Sequence, residues 1–221
     1  MDVSLPLTER ATPTRADAAV AQEIPQYRRQ MILAVWAAAA LPMAVLAWLV
    51  APALKHSFAG VGNVPMAKAL IVCLTLGLIW QFVLVIVLVR REQRSLRWST
   101  LREALWLRAP RSPRSGRSGG RVWLILIPLI AAFTVEELVP VAPHAGSRDL
   151  GSFLSSHAGH TFMHGAWGWY GLLLVLFLFN TVLGEELLFR GLLLPRMNGV
   201  FGRRDWLANG LLFAAYHLHV P

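Results

Sequence analysis

The sequence predicts an all-α fold, a polytopic membrane helical bundle, from its composition and from the placement of its apolar and basic residues. Hydrophobic residues make up 56% of the chain and charged residues only 15%, which is too apolar for a soluble domain of 221 residues. The mean hydropathy is +0.51. The apolar residues fall into five long segments, and the arginines cluster between them. Because an isolated strand cannot satisfy its backbone hydrogen bonds in lipid, each apolar segment is expected to be a helix.

The elements follow in chain order. Residues 1–30 are polar and lack a sustained period, which predicts a mobile cytoplasmic N-terminal tail. The first apolar run begins only at Met31, too late for a secretory signal peptide. Residues 31–221 are expected to form the membrane domain, whose last segment reaches Pro221 before a full span of about 20 residues is complete. The predicted helices cover residues 31–51, 67–89, 122–141, 169–194 and 206–221.

The charges between the segments predict the orientation. The loop 90–121 carries ten arginines, whereas the loops of the opposite side carry three basic residues. By the positive-inside rule, the N-terminus and this arginine-rich loop are cytoplasmic, in a multi-pass protein of the cell membrane. The short turn 195–205, with Arg196, is expected on the same side. Since this pattern explains the net charge of +9, the expected partner is the lipid bilayer and not nucleic acid.

Two adjacent carboxylates and an arginine interrupt the fourth apolar segment. Ionisable groups at that depth cost several kcal/mol each unless they are paired or face a wet cavity, so they indicate a functional site. Glu186 and Arg190 are four residues apart and share a helical face, which predicts an ion pair. Glu185 is rotated from them by about 100° and needs another partner. A buried carboxylate that does not belong to an ion pair is a candidate general base for activating water.

Helix geometry predicts that His217 is this partner. Glu185 lies ten residues before Pro195, roughly 15 Å from the end of its helix at 1.5 Å per residue. His217 lies 12 residues after Asp205, roughly 18 Å from the same face by the same rise. A short connection makes the two helices antiparallel neighbours, so the two side chains are expected to meet. Phe213, four residues before His217, is expected to wall this site or to pack against the fourth helix.

Two motifs therefore stand about 20 residues apart: Glu185-Glu186-x-x-x-Arg190 and Phe213-x-x-x-His217. Their order and spacing resemble the first two motifs of the CPBP family of intramembrane proteases. That family includes the type II CAAX prenyl endopeptidases and proteins linked to bacteriocin processing and self-immunity. The resemblance implies that Glu185 is the catalytic glutamate, that Glu186 and Arg190 order the site, and that His217 completes water activation.

The resemblance covers roughly residues 179–217 and implies an intramembrane endopeptidase. Its substrate would be a membrane-associated protein or peptide, of which CAAX-type prenylated proteins are one class. The family pattern also has a later helix that carries a further histidine. The printed chain ends at Pro221, so we expect it to be a fragment that lacks this C-terminal motif.

The sequence also bears on whether the hydrolysis would use a metal ion. A catalytic zinc site uses three protein ligands, and the sequence has no His-Glu-x-x-His run. His217 and His219 are about 200° apart on a helix, so both cannot face one ion. We therefore expect glutamate-dependent hydrolysis without a cofactor, with zinc held by Glu185 and His217 as the alternative.

Two other functions use the same polar cluster. The first is a non-catalytic membrane protein, such as an immunity or assembly factor, in which the cluster packs helices together. The second is a transporter, because buried carboxylates also serve proton relays. An assembly factor should depend most on the pair Glu186 and Arg190, and a transporter should show pH-coupled flux.

Overall fold

A computed structural model of the chain describes residues 24–107 and 149–219, together with Leu124, Ile127, Pro128 and Ala131. Apart from these four residues, the predicted helix 122–141 lies outside the described residues. The same holds for the predicted tail up to residue 23 and for the arginine-rich loop from residue 108 to 121. The helices are α1 (Arg29–Ser57), α2 (Val64–Gln93), α3 (Trp98–Ala104), α4 (Leu150–Ser155), α5 (His157–Met163), α6 (Trp167–Arg196) and α7 (Asp205–Tyr216). A 3₁₀ turn, His217–His219, follows α7.

The predicted all-α membrane bundle is confirmed. Every regular element in the described part of the chain is helical, apart from one isolated bridge between Gly199 and Gly202. Three of these helices, α1, α2 and α6, are long and apolar enough to cross a membrane. Each is longer than its apolar segment. For example, α2 continues through Arg90 and Arg91, whose positive charges complement the C-terminal end of the helix dipole.

Beyond their first turns, the long helices contain three prolines, Pro42, Pro52 and Pro195, and the last two follow π-helical turns. A proline lacks an N–H, and its ring crowds the carbonyl four residues earlier, so it breaks a regular α-helix. In α1 the π-helical turn Leu46–Val50 precedes Pro52, and in α6 the π-helical run Glu186–Leu193 precedes Pro195. The wider π turn makes room at such a point. As a result, α1 extends to Ser57 instead of ending near residue 51.

The core lies where α1, α2 and α6 pack together and is closed by α7. Its fully buried side chains include Ile32 and Met43 of α1, Leu78 and Val85 of α2, and Leu188, Phe189 and Leu192 of α6. The indole Nε1 of Trp36 in α1 donates a hydrogen bond to the carbonyl of Leu212 in α7, at 2.7 Å. This bond fixes α7 to α1, so the C-terminal helix is part of the bundle.

One end of the bundle, which we call the arginine end, is held by a polar cluster of Tyr27, Glu92 and Arg196. Arg196 was expected in the turn 195–205 after the fourth helix, but it lies in the last turn of α6 and is fully buried. Its guanidinium forms a salt bridge with Glu92 of α2, with Nη2 to Oε2 at 2.5 Å. It also donates to the carbonyls of Ala104 and Leu192, each at 3.0 Å. Arg196 can be buried at this helix end because a carboxylate and two carbonyls surround its guanidinium.

The segment before α1 joins the same cluster. The backbone N–H of Tyr27 donates to the carbonyl of Arg196 at 2.9 Å, and its hydroxyl donates to Glu92. Burial and the hydrogen bond to Glu92 raise the pKa of the Tyr27 phenol, so the hydroxyl stays protonated at neutral pH. The start of α1 and the ends of α2 and α6 therefore meet at the arginine end.

Candidate active site

The helix α6 is distorted at Gly184, immediately before the two adjacent carboxylates. Gly184 follows the π-helical turn Phe179–Leu183, and its N–H donates to the carbonyl of Phe179, five residues earlier, at 2.6 Å. A Cβ atom on Gly184 would lie 2.7 Å from that carbonyl oxygen and 3.2 Å from Cδ2 of Leu78 in α2. Only glycine therefore fits at this close approach of α6 to α2, one residue before Glu185.

The structure brings Glu185 and His217 together. Glu185 is buried, and its Oε2 lies 3.7 Å from Nε2 of His217. The sequence predicted an α-helix at His217. In the structure His217 begins the 3₁₀ turn after α7. Its Nδ1 lies 2.9 Å from the carbonyl of Phe213. Because a carbonyl only accepts, Nδ1 carries a proton, and Nε2 is the ring nitrogen that faces Glu185.

The ion pair that the four-residue spacing predicts is present beside this couple. Nη1 of Arg190 lies 2.7 Å from Oε1 of Glu186, and both side chains are about half exposed, at 48% and 45%. The same guanidinium lies over the ring of Phe213, 4.7 Å from its centroid. The ion pair therefore does not include Glu185, and its two side chains are partly exposed.

Phe213 packs between α6 and the histidine. Its ring centroid lies 5.0 Å from that of Phe189 and 4.4 Å from the imidazole of His217, both in edge-to-face geometry. With Arg190 above it as well, the ring contacts both motifs. Phe213 therefore packs against α6 through Phe189 and against the imidazole of His217.

The sequence analysis missed two buried polar residues next to Glu185. Tyr216 is 1% exposed, and its hydroxyl interacts electrostatically with the Glu185 carboxylate. The amide Nε2 of Gln81, from α2, donates to the same hydroxyl at 2.7 Å. One signal for Gln81 was available, because a lone amide in the middle of an apolar span indicates a buried polar contact. Tyr216 gave no signal, since tyrosine is common in apolar helices.

The described residues offer the two expected zinc ligands and no third. Glu185 and His217 face each other, but no group of three His, Cys, Asp or Glu side chains forms within the part of the chain that the structure describes. Catalytic zinc sites use three protein ligands. Among the described residues, Glu185 and His217 could therefore contribute two of these ligands.

A comparison with protein families found one match. The family model of the type II CAAX prenyl endopeptidase Rce1-like proteins, which are proteases, matches residues 153–221. This segment contains α6, α7 and every residue of the two motifs. No curated protein and no solved structure matches the chain. The resemblance inferred from the motifs is confirmed, and over residues 153–221 the chain is similar to the type II CAAX prenyl endopeptidases.

Proposed function

We propose that the protein is an intramembrane endopeptidase that hydrolyses a peptide bond with a water molecule activated by Glu185. One observation carries the proposal: a buried carboxylate and an imidazole from two different helices face each other, with Oε2 and Nε2 3.7 Å apart. Both belong to the segment that matches a protease family. A buried carboxylate that faces a histidine acceptor is the arrangement that general-base chemistry requires.

The separation suits one shared water molecule. A hydrogen bond is about 2.8 Å long, so a water molecule can contact Oε2 of Glu185 and Nε2 of His217 at once. Glu185 takes a proton from this water as its oxygen attacks the carbonyl carbon of the scissile bond. The tetrahedral intermediate then collapses, the C–N bond breaks, and Glu185 gives the proton to the leaving amine. His217 accepts the second hydrogen bond of the water and orients it.

The substrate class and the orientation belong to the same proposal. The family match supports a membrane-associated protein or peptide as substrate, with prenylated CAAX-type C-termini as the first class to test. The positive-inside rule assigns the N-terminus and the arginine end to the cytoplasm of a multi-pass membrane protein. The substrate would then reach the site from the cytoplasmic leaflet.

The test compares wild type with Glu185→Gln in liposomes at equal folded amount, on membrane-anchored peptides that include prenylated ones. The substitution keeps the volume and removes the base, so we expect cleavage to fall by at least about 100-fold. Glu103→Gln, an exposed change on α3, is the matched control and should cleave normally. Cleavage by Glu185→Gln at the wild-type rate, or no cleavage of any peptide by wild type, would refute the proposal.

A further inference from the structure

A chain of buried polar side chains reaches Glu185 from a helix that carries neither motif. Gln81 lies on the face of α2 that points into the core and is fully buried. Its Nε2 lies 2.7 Å from the hydroxyl of Tyr216, which interacts with Glu185 in turn, and the Tyr216 ring centroid lies 5.1 Å from that of His217. Three polar side chains, from α2, α7 and α6, are thus connected in series inside an otherwise apolar core.

The donors in this chain have one consistent direction. An ionised carboxylate only accepts hydrogen bonds, so the Tyr216 hydroxyl is the group that can donate to Glu185. The lone pairs of the same hydroxyl then accept from the Gln81 amide. A hydroxyl that is itself hydrogen-bonded by a donor is a stronger donor to the next group. The chain therefore ends on the general base of the proposed reaction.

The amide of Gln81 is costly at this place. Its Oε1 is one of two buried side-chain oxygen or nitrogen atoms without a hydrogen-bond partner among the described residues; the other is Oδ1 of Asn209. An unsatisfied buried polar atom costs free energy that an apolar side chain of the same shape would avoid. Packing alone therefore does not account for Gln81, whereas its bond to Tyr216 does.

We propose that Gln81 and Tyr216 are positioning residues that hold the Glu185 carboxylate in the rotamer that faces His217. The inference rests on the proposed function. A carboxylate without a fixed donor rotates about its last torsion, and a misplacement by about 1 Å costs up to 100-fold in rate. The bond from Tyr216 restricts this rotation, and Gln81 restricts the Tyr216 hydroxyl in turn. Gln81 lies outside residues 153–221, so the matched segment takes this part of its site from α2.

The first test is kinetic. Tyr216→Phe removes the hydroxyl and keeps the ring against Phe189, 5.5 Å away, and Gln81→Met keeps the volume of the side chain. We expect each change to lower kcat roughly 10- to 100-fold with KM unchanged, because substrate contacts remain and only the base is misplaced. In the double variant the loss should equal that of Tyr216→Phe alone, since Gln81 acts through Tyr216.

Thr75→Val is the matched control. Thr75 is a buried polar residue of the same helix, but its hydroxyl donates to the carbonyl of Ile71 in its own helix, at 2.6 Å. This variant should keep kcat within about twofold of wild type. An equal loss in Thr75→Val, or additive losses in the double variant of Gln81 and Tyr216, would overturn the positioning role.

The second test does not depend on activity. The chain has three tyrosines, so NMR of protein labelled at the hydroxyl-bearing ring carbon gives a Tyr216 signal that Tyr216→Phe assigns. This signal should shift in both Glu185→Gln and Gln81→Met and stay in place in Thr75→Val. An unmoved signal would overturn the hydrogen-bond chain. Glu185-dependent cleavage with full kcat in Tyr216→Phe would overturn the positioning role alone, whereas no cleavage by wild type would overturn it together with the proposed function.

Discussion

The salt bridge at the arginine end predicts a large loss of stability for Glu92→Gln. Three nitrogen–oxygen contacts join Arg196 to Glu92, at 2.5, 3.1 and 3.1 Å, and the arginine side chain is 0% exposed. Removing one partner of a buried ion pair leaves the other charge uncompensated and costs about 3–5 kcal/mol. We expect about 3 kcal/mol, the lower end, because the glutamine carbonyl still accepts one hydrogen bond. For a chain of this length the loss corresponds to roughly 6–12 °C in Tm.

Reversible unfolding in mixed micelles, driven by a denaturing detergent, measures this loss. The matched control is Glu103→Gln, an exposed carboxylate on the neighbouring α3, which should change the free energy of unfolding by less than about 0.5 kcal/mol. Replacing both members of the pair, as Glu92→Leu with Arg196→Met, should be less costly than Glu92→Gln, since no charge is then left buried. Equal effects of Glu92→Gln and Glu103→Gln would refute the reasoning.

Two further substitutions test the helix α6. Gly184→Ala should lower both stability and kcat, because its Cβ would lie 2.7 Å from the backbone oxygen of Phe179 in α6 itself and 3.2 Å from Cδ2 of Leu78 in α2. In Gly210→Ala on α7, a Cβ meets no atom within 4 Å, so the same unfolding assay should show equal or higher stability. Glu186→Gln removes the half-exposed pair with Arg190 and should cost less than about 1 kcal/mol in that assay. A loss of several kcal/mol would instead favour the assembly factor over the protease.

The meeting of Glu185 and His217 could be predicted because it depends on few quantities. The depth of a residue in a membrane helix follows from the rise per residue, and a short connection sets two helices side by side. The rise per residue and the short connection still bring Glu185 and His217 to the same depth, although π-helical turns interrupt α6 and His217 lies in a 3₁₀ turn. The pair of Glu186 and Arg190 was predictable for a simpler reason, since four residues on one helix always lie close.

The contacts between distant segments could not be predicted. The apolar residues of α2 cover all its faces, so no periodicity shows which side faces the core, and Gln81 could not be assigned a partner. Arg196 and Glu92 are 104 residues apart in the chain, and only the packing of α6 against α2 brings them together. The distortion at Gly184 was hidden as well, because a glycine in an apolar segment is compatible with a regular helix, a bend or a close contact.

The helix α2 meets the motif-bearing helices at three depths, through Leu78, Gln81 and Glu92. It lies entirely before the matched segment 153–221, which therefore carries the two motifs but depends on α2 for steric, hydrogen-bonding and ionic contacts. Chimeras made by exchanging that segment between homologues would pair one protein's site with another protein's α2. Such recombination would preserve a working protein only where α2 is exchanged too, or already supplies an amide and a carboxylate at matching heights.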